Sequence, residues 1–401
     1  MTKIIIDKEK INEILTRGVA NIYPSREALE KILLSGKKLR IYNGIDPTGK
    51  LHIGHAVVLK KLRQFQDLGH EVIVLIGDFT ARIGDPTDKL ATRKKLTKED
   101  VKRNSRNYKK IIGKILDLTK SNIRFLHNEK WTNKLKPENM LELASYFTVA
   151  RLLERDMFQE RIKEGKEIYV HEFLYPIFQA YDSITMDVDM EIGGNDQTFN
   201  MLAGRTLLRK LKNKEKFVLT TKLLTDPSGK KIGKTEGNMI NLDETAENMY
   251  GKIMSIPDSL IVDYFTLCTD VADEEIQKIK HALETHAVNP RDAKMRLAKK
   301  IVSLYHNQKE ALKAEEAFVK IFQKHEMPEI IPEIRLEPWP KTLAQALVAT
   351  KLAASMNDAR QAIQQGGVKI QGQVVKNPNS PLPKVSGIVV SRGKRRFCRL
   401  R

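Results

Sequence analysis

The sequence predicts an α/β protein that begins with a doubly wound parallel-sheet domain and continues with an α-helical domain and a small α+β domain. Three observations indicate this order. Residues 38–77 have the pattern of a βαβ unit, residues 243–326 are helical in pattern with few strand signals, and a hairpin pattern follows a proline-rich stretch at 327–340. A chain of 401 residues is long enough for two or three such domains.

The βαβ unit starts with an alternating strand pattern at residues 39–42 and a turn at residues 46–49. Val58, Leu62 and Phe65 then recur at the spacing of one helical face. Strand, helix and strand in succession form the building block of a Rossmann-like sheet, which binds ligands at the carboxyl ends of its strands. Further strands are predicted at 71–77, 123–126 and 188–192, and a helical insertion is predicted at about 90–165.

Composition changes along the chain predict the remaining boundaries. Pro257 and Pro290 are predicted helix starts in the helical domain. A short helix at 356–365 precedes the predicted hairpin at 368–374. The predicted segments are 1–228 for the sheet domain with its insertion, 229–326 for a glycine-lysine loop and the helical domain, 327–340 for a stiff proline-rich linker, and 341–401 for the C-terminal domain.

Composition also excludes several classes of protein. Hydrophobic residues make up 41% and charged residues 30% of the chain, which is typical of globular proteins and not of disordered, collagen-like or membrane proteins. The apolar stretch 72–76 is too short to span a bilayer, and the charged run after Ile6 interrupts a signal-peptide core. Cys268 and Cys398 fit neither a disulfide scaffold nor a structural zinc site. We therefore expect a cytoplasmic protein with no membrane partner and no protein-bound metal.

The sharpest motif is Leu51-His-Ile-Gly-His55, between the first predicted strand and the first helix. A helix N-terminus at this place offers N–H groups and a positive dipole to a phosphate. His52 and His55 lie on one face of the first turn, where both rings can donate hydrogen bonds to an α-phosphate as its charge grows. Gly54 leaves room for a nucleotide. Two plainer interpretations stay open, a surface or capping pair of histidines and a metal pair that lacks a third ligand.

A second motif, residues 228–237, places three lysines among three glycines. Such a loop can close the ammonium groups of Lys231 and Lys234 on a triphosphate and open again. It is not a P-loop, because three residues rather than four separate Gly229 from Gly233. A solvated lysine-rich turn is the alternative.

A third motif is a polar stripe on a helix that is otherwise apolar. Tyr175, Gln179 and Asp182 recur at i, i+4 and i+7, which places them on one face. Such a stripe is usually a solvated helix face, but the apolar neighbours indicate the wall of a pocket. The segment 193–197, Gly-Gly-Asn-Asp-Gln, predicts a turn from strand to helix that can meet a ribose.

In order and spacing these motifs resemble the signatures of class I aminoacyl-tRNA synthetases. His52-Ile-Gly-His55 is similar to the HIGH signature and Lys231-Ile-Gly-Lys-Thr235 to the KMSKS signature. The segments 42–48, 83–86, 175–182 and 193–197 narrow the resemblance to the bacterial tyrosyl-tRNA synthetase family, although Asn43 stands where many members have Cys. Residues 358–370 are similar to the small RNA-binding domain of ribosomal small-subunit-protein type that this family carries.

The resemblance implies a role for each matching residue. Tyr42 and Asp182 are expected to bind the phenol of L-tyrosine, and Asp85, Tyr175 and Gln179 its ammonium group. Asp46, Asp196 and Gln197 are expected near the ammonium, the ribose and the adenylate. The residues expected around the phosphates of ATP are Thr48, His52, Gly54, His55, Lys231, Lys234 and Thr235.

The resemblance further implies the reaction. The substrate carboxylate, with a pKa of about 3.5, is ionised at neutral pH and attacks the α-phosphate without a general base. ATP is the second substrate, Mg²⁺ is expected to assist, and the tyrosine-specific tRNA accepts the aminoacyl group. The family also implies a homodimer formed through the insertion. Two alternatives are a tryptophanyl relative, which has no hydroxyl to bind, and an RNA-binding relative that has lost catalysis.

The charge of the chain is uneven. Lys and Arg total 70 against 50 Asp and Glu, a net charge of +20 that favours a nucleic acid or an anionic membrane as partner. Residues 335–401 carry thirteen basic and two acidic residues, and residues 89–110 carry ten and two. With the resemblance, this pattern predicts two basic surfaces for tRNA and binding that weakens steeply with salt.

Overall fold

A computed structural model describes residues 3–85, 96–226, 239–322, 331–385, 387–393 and 396–401. The chain divides into two units, Met1–Ala311 and Leu312–Arg401. Among the helices of the described residues, none has both the length and the apolar character that crossing a bilayer requires.

Six strands form the sheet of the first unit: β1 Val19–Tyr23, β2 Arg40–Ile45, β3 Glu71–Ile76, β4 Ile123–His127, β5 Met190–Gly194 and β6 Phe217–Thr221. Their order is β1-β6-β5-β2-β3-β4. The last five in this order are mutually parallel, while β1 is antiparallel to β6. From β2 the chain moves outward to β3 and β4, and it then returns to the other side of β2 for β5 and β6. The doubly wound class is therefore confirmed, with its switch point between β2 and β5.

Helices flank this sheet and continue beyond it. Those before the last strand are α1 Lys8–Thr16, α2 Arg26–Leu34, α3 Ile53–Asp67, α4 Thr80–Ile83, α5 Lys98–Ser105, α6 Tyr108–Ile112, α7 Glu129–Thr132, α8 Pro137–Ser145, α9 Val149–Leu153, α10 Asp156–Lys163, α11 Val170–Met186 and α12 Thr198–Lys212. After it come α13 Ala246–Ile253, α14 Ile261–Cys268, α15 Asp273–Glu284, α16 Pro290–Tyr305 and α17 Gln308–Phe322. Short 3₁₀ helices lie at Asn195–Gln197 and Asp258–Leu260.

The predicted βαβ unit is present as β2, α3 and β3. Leu59, Leu62 and Phe65 are fully buried, so the apolar face of α3 faces the core as its spacing predicts. Gly69 follows the helix at φ +94°, and a Cβ atom there would lie 2.3 Å from the carbonyl oxygen of Lys3. This position therefore requires glycine.

The predicted insertion differs in detail from the structure. Strand β4 lies inside the range 90–165 and pairs with β3, so part of this range belongs to the central sheet. The helical part of this range is also divided into short helices, α5 to α10. The side chain of Thr148, for example, caps the start of α9 by accepting from the N–H of Arg151. Periodicity alone does not register such internal caps.

The helical prediction for 243–326 agrees with α13 to α17 over the described residues. Pro290 is the first residue of α16, where its missing N–H costs nothing. Pro257 precedes the 3₁₀ helix Asp258–Leu260, and α14 begins directly after that turn.

In the second unit, the described residues from 331 onward form a five-stranded sheet with two short helices. The predicted helix and hairpin are present, and the hairpin turns at Gln371 and Gly372, both with positive φ. The predicted linker needs correction, because its residues 333–334 form a strand and Leu336 is buried in the core of this unit. The elements are β7 Glu333–Ile334, α18 Leu343–Ala349, α19 Met356–Gln364, β8 Val368–Ile370, β9 Gln373–Val374, β10 Val389–Arg392 and β11 Arg396–Leu400, and the sheet order is β7-β11-β10-β8-β9.

Candidate active site

The two signature histidines interlock at the N-terminus of α3. His52 is the N-cap residue, and its Nδ1 accepts a hydrogen bond of 3.2 Å from the Gly54 N–H. The Nδ1 of His55 accepts one of 3.2 Å from the His52 N–H, and the ring centroids lie 4.0 Å apart. In the neutral rings the proton is therefore on Nε2, which is the donor available to a phosphate. A Cβ atom at Gly54 would lie 3.0 Å from the His52 ring, so this glycine makes room for that ring.

The chain that resumes after the glycine-lysine loop is anchored beside these histidines. The N–H of Ile53 donates to the carbonyl of Ile240 at 2.9 Å, and His52 forms an antiparallel bridge with Asn241. The segment just after the loop therefore lies next to the first turn of α3. The predicted phosphate-binding residues Lys231, Lys234 and Thr235 lie outside the described residues.

Asp46 follows β2 and is held from two sides. Its Oδ2 accepts from the hydroxyl of Tyr175 at 2.8 Å, and its Oδ1 accepts from the hydroxyl of Thr80 at 2.7 Å. A Cβ atom at Gly77 would lie 1.9 Å from that Oδ1, so glycine after β3 admits the carboxylate. The backbone carbonyl of Asp46 accepts from the N–H of Thr48 at 2.8 Å. Thr48, a predicted phosphate-binding residue, therefore lies in the same turn as Asp46.

Asp85 follows α4 and contacts the 3₁₀ turn after β5. The side-chain amide of Gln197 donates to its Oδ2 at 2.6 Å, and Arg155 donates to its Oδ1 at 3.3 Å. The guanidinium of Arg155 is nearly fully buried and lies 5.3 Å from the ring centroid of Phe199. Sequence reasoning missed Arg155, whose partner is 70 positions away.

Asp182 is a buried carboxyl with two donors. Its Oδ1 accepts from Trp131 Nε1 at 2.7 Å and its Oδ2 from Asn128 Nδ2 at 3.2 Å. Burial raises the pKa of Asp182 to about 8, against the opposing effect of both hydrogen bonds. Tyr175 and Asp182 of the polar stripe are therefore buried rather than solvated, which agrees with the prediction that the stripe is not a solvated face. Trp131 and Asn128 were not found from sequence, because no spacing rule relates them to Asp182.

Tyr42 lies on β2 and is completely buried. Its hydroxyl is 2.9 Å from the Oγ of Ser183, the residue after Asp182, so its phenol reaches the same turn of α11. Burial raises the pKa of Tyr42 well above its usual value, and the nearby carboxylate of Glu191 acts in the same direction. The hydroxyl therefore keeps its proton and can act as a donor.

Gln179 contacts a charged pair that no sequence pattern singled out. Its Nε2 donates to Glu191 Oε1 at 2.9 Å, and the other oxygen of Glu191 accepts from Lys216. Lys216 directly precedes β6, and neither side chain of the pair is more than 2% exposed. A lysine next to an apolar strand gives no sequence signal of burial, so only the fold reveals this pair.

Asp196 lies in the 3₁₀ turn at the switch point. A Cβ atom at Gly194 would lie 2.5 Å from its Oδ1, so the carboxylate is folded back against the end of β5. The turn is also fixed by Asn195, whose side-chain oxygen accepts from Asn21 at 2.9 Å and from Thr220 at 3.1 Å.

The structure thus brings most of the predicted residues to one edge of the sheet. The groups expected to bind an amino acid are linked through α11, β2 and β5. The two histidines lie at the N-terminus of α3, the helix that follows β2. No group of three or more His, Cys, Asp or Glu side chains suited to a metal occurs among the described residues. The arrangement brings buried hydroxyl and carboxyl groups together on β2 and α11, and it places N–H donors at the start of α3.

Residues 34–323 match the family described as tRNA synthetases class I (W and Y). The chain belongs to this family. It is 44% identical over 392 residues to a tyrosine–tRNA ligase of Moorella thermoacetica, with 96% of this chain and 94% of the relative covered. A tyrosine–tRNA ligase of Haemophilus influenzae is 44% identical over 389 residues, with 96% of each covered.

Solved structures of this synthetase family are similar as well. A C-terminally truncated mitochondrial tyrosyl-tRNA synthetase of Coccidioides posadasii has a TM-score of 0.62 and 27% identity, over 77% of this chain and 91% of that one. A tyrosyl-tRNA synthetase of Archaeoglobus fulgidus, complexed with L-tyrosine, has a TM-score of 0.61 at 22% identity, over 77% and 99%, and shows the shared fold. Residues 342–384 match the S4 domain.

Proposed function

We propose that the chain is a tyrosine–tRNA ligase of the cytoplasm. It activates L-tyrosine with ATP to tyrosyl-adenylate and pyrophosphate, and it then transfers tyrosine to the 3′ end of its tRNA. The observation that carries the proposal is the burial of two phenol-binding candidates, Tyr42 on β2 and Asp182 on α11, which are brought together where Tyr42 contacts Ser183, the residue after Asp182. An indole has no hydroxyl for this pair, which argues against the tryptophanyl alternative.

The phenol end of the pocket accounts for substrate choice. Tyr42 keeps its proton and donates to the substrate oxygen, while Asp182 accepts the substrate's own hydroxyl proton. Phenylalanine would leave both side chains unpaired in a dry site, which is costly. Discrimination between tyrosine and phenylalanine by a hydroxyl-binding site is known for this enzyme family.

The ammonium group is proposed to lie between the end of β2 and the residues that follow α4. Asp46 and Asp85 supply the carboxylates, and Tyr175 and Gln197 hold them by hydrogen bonds. Gln179 and Asp196 complete this side of the pocket in the proposal. This placement turns the substrate carboxylate toward the N-terminus of α3.

Activation then needs positioning and charge neutralisation rather than proton removal. The substrate carboxylate is ionised at neutral pH and attacks the α-phosphate in line. The Nε2–H groups of His52 and His55 donate to that phosphate as its charge grows, and Thr48 lies in the preceding turn. Lys231, Lys234 and Thr235 are proposed to bind the departing pyrophosphate.

The described side chains do not form a metal site, and Mg²⁺ is proposed only as a companion of the ATP phosphates. In such sites the cation is held largely by substrate oxygens and water. No step is assigned to it.

Two basic surfaces are proposed to bind tRNA. In the first unit, Lys102 on α5, Lys110 on α6 and Arg106 between the two helices are exposed. This surface is tied to the active-site turn, since Asn104 donates to the carbonyl of Pro47 at 2.9 Å. In the S4 segment, Lys351, Arg360, Lys369, Lys376 and Lys384 are exposed, and none forms an ion pair with another described residue.

A homodimer is proposed from exposed apolar side chains in the insertion and at the start of α11. Leu141 on α8 is 75% exposed, Val149 on α9 is 65% exposed and Val170 on α11 is 78% exposed. A second copy of the chain would cover them. Sedimentation of the wild type and of Val149→Glu tests this, and a monomeric wild type would contradict it.

Amino-acid-dependent exchange of pyrophosphate into ATP tests the activity. Exchange with tyrosine and little with phenylalanine or tryptophan is the expected result. Exchange with tryptophan alone would overturn the specificity, and no exchange with any amino acid would favour an RNA-binding protein that has lost catalysis.

A further inference from the structure

The catalytic unit contains a buried ion pair outside the set of residues expected to touch substrate. Lys216 and Glu191 are 0% and 2% exposed at their side chains. The three N–H groups of Lys216 find three acceptors, which are the Glu191 carboxylate, the Oγ of Ser183 at 2.8 Å and the carbonyl of Met201 at 3.1 Å. Burial lowers the pKa of Lys216 while Glu191 opposes the shift.

Such a pair is an unusual choice for a core. Charges removed from water carry a desolvation penalty, and apolar side chains of the same volume are often at least as stable. The site is nevertheless shaped for it. Gly204 on α12 has no side chain where a Cβ atom would lie 2.5 Å from Lys216 Nζ and 2.7 Å from Ser183 Oγ.

The pair reaches two side chains that are proposed to bind tyrosine. Through Ser183 it reaches the hydroxyl of Tyr42, which is 2.9 Å from Ser183 Oγ. Through Glu191 it holds the side-chain amide of Gln179 at 2.9 Å. One ion pair therefore supports both the phenol end and the ammonium end of the pocket.

The chemistry of these groups fixes the direction of the hydrogen bonds. A lysine ammonium only donates, so Ser183 Oγ accepts from Lys216. Among the described residues, the remaining partner of that hydroxyl is Tyr42. If Tyr42 also donated to Ser183, the buried serine proton would lack an acceptor, which is costly. Ser183 therefore donates to Tyr42, and the proton of Tyr42 points away from Ser183. The Glu191 carboxylate also faces the Tyr42 hydroxyl, but its two oxygens already accept from Gln179 and Lys216.

We propose that Lys216, paired with Glu191, is a positioning residue that acts through Ser183 to aim the Tyr42 hydroxyl proton at the phenol oxygen of the substrate. The proposal rests on the proposed function, since it explains how that pocket selects tyrosine. The chain of donors runs from Lys216 to Ser183, to Tyr42 and to the substrate, and it ends at Asp182 as acceptor.

Ser183→Ala tests the link while leaving the ion pair in place. We expect the KM for tyrosine in pyrophosphate exchange to rise roughly 3- to 10-fold, as for loss of one oriented hydrogen bond. The KM for ATP and the exchange with phenylalanine should change less than about twofold, because neither depends on that proton. Thr269→Val is the matched control, since it removes a buried hydroxyl that bonds to Phe265 in the helical part of the unit.

A double-mutant cycle makes the test independent of general damage. Once Tyr42→Phe has removed the acceptor and donor, adding Ser183→Ala should not change the tyrosine-to-phenylalanine ratio further. The neutral pair Lys216→Met with Glu191→Gln should lower that ratio as Ser183→Ala does, and the new amide oxygen at position 191 would still accept from Gln179. If the neutral pair fails to fold, the serine cycle still decides.

The outcomes separate the positioning role from the proposed function. A wild type without tyrosine-dependent exchange would overturn the proposed function itself. A wild type that exchanges, with Ser183→Ala unaltered in its tyrosine KM, would overturn the positioning role alone. The positioning role would also be overturned if Ser183→Ala reduced the exchange with tyrosine and with phenylalanine equally and lowered the melting temperature. Fully additive effects of Tyr42→Phe and Ser183→Ala would overturn it as well.

Discussion

Asp182→Asn is expected to change the way stability depends on pH. In the folded protein burial raises the pKa of Asp182 to about 8, whereas the unfolded chain has the ordinary value of 3.8. Between these values the folded state holds a proton that the unfolded state has released. The carboxyl therefore costs stability that grows as pH rises from about 4 to about 8, and below pH 4 this cost disappears.

The size of the effect follows from the difference in pKa. Each pH unit inside the window is worth about 1.4 kcal/mol. Between pH 5 and pH 8 the wild type should therefore lose about 3 to 4 kcal/mol through this group, which the asparagine variant does not lose. Asparagine has one acceptor oxygen for the two donors Trp131 and Asn128, so the variant also carries a fixed penalty of about 1 to 3 kcal/mol. That penalty does not vary with pH, and it cancels in the comparison.

The assay is the free energy of unfolding in urea for both proteins at pH 5, 6, 7 and 8, without substrate. The stability of the variant relative to the wild type should increase steadily across this range. Asp187→Asn, directly after the same helix, is the control: burial acts to raise the pKa of Asp187, but the ion pairs with Lys214 and Lys212 outweigh it, so the pKa is lowered and the sign is reversed. A difference between Asp182→Asn and wild type that is the same at pH 5 and pH 8 would refute the reasoning.

Four further outcomes are expected. Lys234→Ala should slow adenylate formation at least tenfold with little change in tyrosine affinity, measured by single-turnover kinetics; weaker tyrosine binding at a normal rate would contradict its role. Removal of residues 331–401 should leave pyrophosphate exchange intact and abolish charging of tRNA, and full charging would be the contrary result. Replacing Lys102 and Lys110 by Ala should weaken binding about equally for different tRNA sequences. The slope of the logarithm of the binding constant against the logarithm of the salt concentration should fall by about two, measured by filter binding. Tyrosine affinity, but not phenylalanine affinity, should rise with pH up to about 8, because Asp182 must lose its proton to accept one; a flat calorimetric profile would contradict this acceptor role.

The hydrophobic periodicity of the sequence predicted those elements whose burial is determined within a single helix or strand. The face of α3 and the buried strand β3 follow from period and composition, since each buries its apolar residues in one place. The stripe on α11 was also visible, because three polar residues at helical spacing interrupt an apolar helix. In each case the signal and the structure lie within one element.

The remaining part of the site depends on contacts between distant segments. Trp131 reaches Asp182 across 51 positions, and Arg155 reaches Asp85 across 70. Neither partner has a spacing or a composition that sets it apart from a surface residue. The same holds for the prolines before the C-terminal sheet: they predict an extended chain correctly, but pairing of Glu333–Ile334 with β11 depends on a strand more than sixty residues later.

The phenol end of the pocket can be understood from which groups are unable to donate and which are unable to accept. The ammonium group of Lys216 can only donate, so the chain of hydrogen bonds begins there. An ionised carboxylate can only accept, so the chain ends at Asp182. Tyr42 and the substrate hydroxyl can each do both, and their directions are decided only by the two ends. With Lys216 at one end and ionised Asp182 at the other, a substrate hydroxyl completes every bond. A substrate without a hydroxyl leaves the Tyr42 donor and the Asp182 acceptor without a hydrogen bond in a site that excludes water. The selectivity of such a pocket therefore depends on Lys216 and Asp182, two charged groups that do not touch the reacting carboxylate of the substrate.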